Sequence, residues 1–244
     1  MTALIVLFLA AVLLLTLTFL RRKSPAAFRK IEAYERLNRA IGLSVESGTR
    51  LHISIGRGNL FTARGGSALA GLAMLRRLTE RTSLSDQPPI VTSGDASLAI
   101  LSQDTLQSGY RAARAEDQFR LTSGRLTGLT PFAFAAGTLP IIRDEGVSAN
   151  VIIGELGAEA GLLTDAAERK NADLIAASDN LTAQSVLYAA SQAPLIGEEL
   201  FAAGAYIGAG ASHEASLQTQ DILRWLVILA ILGGAVLKFL GVGF

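Results

Sequence analysis

Two long apolar runs frame the chain, and between them short apolar segments alternate with longer stretches of helical spacing. The first run, Thr2 to Leu20, carries no charge and stops at Arg21, Arg22 and Lys23. It has about the twenty residues that a membrane-spanning helix needs. A cleaved leader places its basic residues in front of a shorter apolar run. Here they follow the run, which predicts an uncleaved anchor with Arg21 in the cytoplasm and Met1 outside. The second run is apolar from Trp225 to Leu237, is interrupted by Lys238, and resumes from Phe239 to Phe244. It is long enough to span if Lys238 snorkels to the far headgroups, with Arg224 and Trp225 at the near interface. The alternative is a buried or interfacial helix. Two spans put the middle of the chain in the cytoplasm and both termini outside, at the inner (plasma) membrane.

After the first anchor, Ser24 to Gly42 reads as a juxtamembrane helix. Ser24-Pro25 is a helix start, and Phe28, Ile31, Leu37 and Ile41 recur at roughly helical spacing. Strands are predicted at Leu51–Ile55, Pro89–Thr92, Val151–Ile153, Leu174–Ala177 and Pro194–Ile196. Helices are predicted at Ala63–Arg81, Ala96–Ala113, Pro131–Glu145, Glu159–Lys170, Leu181–Ala190 and Glu198–Ile207. Glu116 to Thr130 reads as a weak strand or a loop. This alternation predicts an α/β fold, a mostly parallel, Rossmann-like sheet with flanking helices, anchored by two transmembrane helices. The expected organisation is an anchor at 1–23, a juxtamembrane helix at 24–48, a cytoplasmic α/β domain at 49–220 and a second transmembrane helix at 221–244.

Composition narrows the function classes. Half the residues are hydrophobic while the net charge is only +1, unlike a basic nucleic-acid binder. The absence of cysteine excludes disulfides, thiolate zinc sites and iron–sulfur clusters. Glycines weaken helix interiors, by about 1 kcal/mol each against Ala. Their recurrence in Ala63–Gly71 and Ala202–Gly210 therefore predicts tight packing, within or between subunits.

The predicted strand ends carry small and acidic residues: Gly56-Arg57-Gly58, Ser93-Gly94-Asp95, Gly154-Glu155, Ser178-Asp179-Asn180 and Gly197-Glu198-Glu199. In a parallel sheet they gather at the carboxyl edge, where open α/β sheets bind ligands. Helix capping and dipole complementation explain the same residues without a ligand. Read as a pocket, the candidate ligand-binding set is Gly56, Gly58, Asp95, Glu155, Gly197, Glu198 and Glu199. Its carboxylates repel a bare phosphate unless a divalent cation, or Arg57 and Arg64, compensates. Gly56 to Phe61 lacks the third glycine of a dinucleotide fingerprint, and the lack of lysine between Lys30 and Lys170 excludes a P-loop. No nucleophile elbow, zincin or calcium-loop motif occurs. His52 reads as a hydrogen-bonded core or edge residue ahead of a catalytic one, and His213 as interfacial ahead of metal-binding. No catalytic set, metal or cofactor is singled out.

Three stretches carry a family resemblance: His52 to Gly56, Pro194 to Tyr206 with its Gly197-Glu198-Glu199, and Ser216 to Trp225. With the order anchor, α/β domain, C-terminal span, the chain resembles an uncharacterised family of bacterial and archaeal membrane proteins. The resemblance covers most of the cytoplasmic domain and the second span. It implies a topology and lends no catalytic residues.

The expected function is a membrane-anchored structural or assembly protein. Its partners are the lipid bilayer and further copies or a membrane complex, with no nucleic acid, and the balance leans away from an enzyme. The alternative is a domain at the inner membrane face that binds a small molecule or nucleotide, with Mg²⁺ as a candidate co-ligand.

Overall fold

The computed structural model describes residues 2–24, 26–60, 62, 65–83 and 85–240. The predicted outward Met1, the Pro25 of the helix start, Ala63, the compensating Arg64 and the last four residues of the second span lie outside the described residues. In chain order the elements are α1 (Thr2–Arg21), α2 (Glu32–Glu46), β1 (Arg50–Gly56), α3 (Gly65–Thr82), β2 (Ile90–Ser93) and α4 (Ala96–Ala112). Then come β3 (Gly124–Leu126), α5 (Pro131–Asp144), β4 (Val147–Glu155), α6 (Ala160–Arg169), β5 (Asp173–Ser178), α7 (Leu181–Ala190), β6 (Leu195–Ile196), α8 (Ala203–Tyr206) and α9 (Ala211–Phe239). They form two compact units, one of residues 29–207 and one of the residues before and after them.

In the α/β unit the strand order is β3-β2-β1-β4-β5-β6, with every neighbouring pair parallel. Chain order reverses between β1 and β4, the switch point of a doubly wound sheet. Side chains alternate across the strands, so each face takes its own layer of helices. Ile152 and Ala176 join Phe134, Ile142, Leu163, Ala166, Ala183 and Leu187 in a core under α5, α6 and α7. On the other face α3 lies close to β1 and β4. A Cβ on Gly71 would meet the Ile55 and Ile153 side chains at 3.1 and 3.2 Å. That closeness explains the helix glycine.

Several of the small residues singled out in the sequence pack inside this unit. Ala68 and Ala203 are fully buried, and Ala202 and Ala205 nearly so. The juxtamembrane helix begins at Glu32, not Ser24, and runs on to Glu46. Its buried stripe, Ala33, Tyr34, Leu37, Ala40, Ile41 and Ser44, sets that register, and Glu32 and Glu35 suit a first turn. The predicted helix Glu198–Ile207 is a 3-10 stretch, Gly197–Ala202, followed by the single turn of α8. The weak segment Glu116–Thr130 holds two 3-10 turns and the edge strand β3.

In the other unit α1 and α9 pack side by side. Their facing ends are pinned by Arg21 Nε donating to Gln218 Oε1 at 2.7 Å and the Ala26 N–H donating to Glu214 Oε2 at 2.8 Å. Joining the end of one helix to the start of the other makes the pair antiparallel. The hydroxyls of Thr16 and Thr18 donate back to carbonyls of α1, so these polar groups are satisfied within an apolar helix. Helix α9 starts ten residues before Asp221, and His213 sits in its first turn. Ala3–Arg21 and Ala211–Phe239 are both long and apolar enough to cross a membrane.

Candidate functional site

At the switch point β1 and β4 end against one another. Gly56 pairs with Glu155 across a register shift, and Gly56 and Gly154 take φ of +71° and +126°. A Cβ at Gly56 would stand 2.5 Å from the Glu155 carbonyl oxygen, and one at Gly154 would stand 2.1 Å from that of Ile55. The glycines are thus required by backbone approach. The Arg57 N–H donates to the Glu155 carbonyl and the Gly94 N–H to that of Gly56, both at 2.9 Å. A Cβ at Gly58 would lie 3.3 Å from that of Glu155. Gly56, Gly58 and Glu155 are therefore brought together, with the β2 end beside them.

Several polar groups around this point have work already. Arg57 crosses Gly94 and reaches Glu159, Nε to Oε1 at 2.9 Å, and the Glu159 side chain is 2% exposed. That buried carboxylate needs its counter-ion, so Arg57 is not free to neutralise an anion. Asp95 caps α4, accepting from the Ser97 and Leu98 N–H groups at 2.9 and 3.1 Å and from the Ser97 hydroxyl. Asn180 caps α7 through the Thr182 N–H at 2.9 Å. The Phe201 ring lies 3.4 Å from where a Cβ on Gly66 would stand, over the first turn of α3. That is where a doubly wound domain would seat a phosphate.

Gly197, Glu198 and Glu199 stand further along the same edge. They follow β6, three strand spacings from β1, or roughly 15 Å. Glu199 accepts from the Ile196 N–H at 3.3 Å, half of a capping box, and pairs with Arg29. A cavity of about 370 Å³ opens at the amino end of β5, against Arg36, Glu168, Asn171, Asp173 and Gln192. Among the described residues no group of His, Asp and Glu is arranged to hold a metal ion.

Sequence reasoning did not foresee a buried polar ladder across the centre of the sheet. His52 is fully buried, with Nδ1 2.8 Å from Asn150 Oδ1 and Nε2 3.0 Å from Thr92 Oγ1. The amide oxygen can only accept, so Nδ1 carries the proton and Nε2 accepts from the threonine. Burial lowers the His52 pKa to about 4, against the opposing pull of the Asn150 hydrogen bond. Ser54 Oγ and Asn150 Nδ2 lie buried beside the ladder without a partner among the described residues. The available signal was His52, Thr92 and Asn150, each a polar residue among the apolar positions of its strand.

A family model described as Domain of unknown function (DUF6754) matches residues 1–244. The chain belongs to that family. No curated protein and no solved structure matches it.

Proposed function

We propose that the chain is a membrane-anchored assembly protein whose α/β unit associates with further copies or with a membrane complex. The observation that carries this reading is a rim of exposed apolar side chains at the carboxyl edge of the sheet. Ile100 of α4, Leu126 at the end of β3, Leu129, and Phe132 in the first turn of α5 neighbour one another in the topology. Leu129 and Phe132 are 67% and 65% exposed. Leu181, Ile196 and Phe201 continue the exposed apolar character toward β6. Exposed apolar side chains grouped at one edge are the kind of surface that interaction sites use. At the same edge Asp95 is taken up by a cap, and Glu159 and Glu199 by ion pairs.

Anchoring rests on the two apolar helices, and Arg21-Arg22-Lys23 after the first supports a cytoplasmic α/β unit with both termini outside the inner membrane. Tethering to a bilayer raises effective concentration and favours association. Blue-native electrophoresis in mild detergent tests the reading. Species above the monomer are expected, and a strict monomer at every concentration would overturn it.

The switch point supports a second reading, a small-molecule or nucleotide site with Mg²⁺ built on Gly56, Gly58 and Glu155. A thermal-shift screen of nucleotides with and without Mg²⁺ addresses it. Stabilisation lost on Glu155→Gln would favour this reading, and no stabilisation by any of them would remove it.

A further inference from the structure

The most interlocked side-chain cluster outside the switch point stands where the chain enters and leaves the α/β unit. The Arg29 guanidinium pairs with the Glu199 carboxylate, and the Tyr34 hydroxyl donates to the Glu199 carbonyl. The Tyr34 ring stacks on that of Tyr206, with centroids 4.8 Å apart and planes 16° from parallel. The Tyr206 hydroxyl donates to the Arg29 carbonyl at 2.8 Å. The contacts close a circuit, Arg29 to Glu199 to Tyr34 to Tyr206 and back to Arg29. They join residues up to 177 positions apart in sequence.

Helix α2 also packs its buried stripe within the unit, but the ends joined by these contacts have few other backbone ties. Helix α2 has Ile31 at its N-cap and no side-chain cap. Strand β6 has two residues and pairs only through Ala177–Leu195 and Ser178–Ile196. The 3-10 stretch and α8 are far below the length at which a helix persists alone. The aromatic stack is buried on the Tyr34 side, while the Arg29 side chain is 72% exposed, so the ionic arm is open to screening by salt.

We propose that Arg29, Tyr34, Glu199 and Tyr206 form a latch that closes the α/β unit on itself and opens as one local unit ahead of the sheet. A pull on either chain end is then carried by these four side chains before it reaches β1 or β4. The latch belongs to a single copy and does not depend on self-association.

Hydrogen exchange read by mass spectrometry on the full chain in nanodiscs tests it. In Tyr206→Ala, amides of 33–37 and 197–206 are expected to exchange about ten-fold faster, with β1 and β4 unchanged. Tyr206→Phe keeps the stack and loses only the hydroxyl, and a smaller acceleration in the same two segments is expected. Raising salt speeds exchange there in the wild-type chain and has little further effect in Glu199→Gln. Wild-type exchange in both Tyr206 variants would overturn the proposal. So would acceleration shared equally by β1 and β4, or a wild-type chain indifferent to salt.

Discussion

The β1/β4 switch point and the β6 margin carry the same signature, a glycine followed by acidic residues at the end of a strand, for different physical reasons. At the switch point the glycines are imposed by neighbours. The β1 and β4 backbones come so close that no Cβ fits at Gly56 or Gly154. At the margin Gly197 has open space around it and is set apart only by its φ of +59°. The carboxylates differ as well. Glu159 is buried and neutralised by Arg57, whereas Glu199 caps the start of a helical stretch and ties down the incoming chain through Arg29. A glycine-acid pattern therefore reports a strand end, and contact geometry decides what the strand end does.

The sharpest way to break this contrast is Gly154→Ala. The new methyl would collide with the Ile55 carbonyl at a φ of +126°, and overpacking plus backbone strain should destabilise the chain by about 3 kcal/mol or prevent folding. Urea unfolding of the full chain in detergent, followed by circular dichroism, measures it. A near-neutral result would mean that β1 and β4 do not approach as described.

Next in size is the pH response of the ladder beneath the switch point. The folded state keeps His52 neutral down to about pH 4, whereas the unfolded chain takes up the proton near its ordinary pKa of 6.5. Between those values the unfolded state binds more protons, so stability falls as pH is lowered through the window, by at most about 3 kcal/mol. Urea midpoints recorded from pH 7 to pH 4 should show this slope, and His52→Gln should remove its share of it.

Smaller effects separate caps from ligands. Asp95→Ala removes the α4 cap and should cost about 1 kcal/mol. Gly197→Ala meets only the left-handed backbone penalty, again about 1 kcal/mol. If Gly197→Ala proved as damaging as Gly154→Ala, the two regions would not differ in the way described.

The layered α/β fold was legible because each strand is a short apolar run bounded by glycine or polar residues, and each helix repeats its apolar face. What hid was set by distant partners. The start of α2 depends on which residues the sheet buries, so Ser24-Pro25 misled. Glu198–Ile207 has helical composition, but it forms a 3-10 stretch and a single α-turn. Of the candidate set, Gly56, Gly58 and Glu155 converge, Asp95 turns to its own helix, and Gly197 to Glu199 lie across two further strands. Sequence places residues at an edge but not along it. The Thr92–His52–Asn150 ladder stayed hidden because its partners are 40 and 98 positions from His52.

The central claim is that the apolar carboxyl edge is an association surface. The most direct measurement is native mass spectrometry of the full chain released from nanodiscs, comparing wild type with Leu129→Asp and Phe132→Asp at equal folded content. Oligomers in the wild type that dissociate to monomers in both variants are the expected result. A wild type that is monomeric, or oligomers untouched by either substitution, would contradict it.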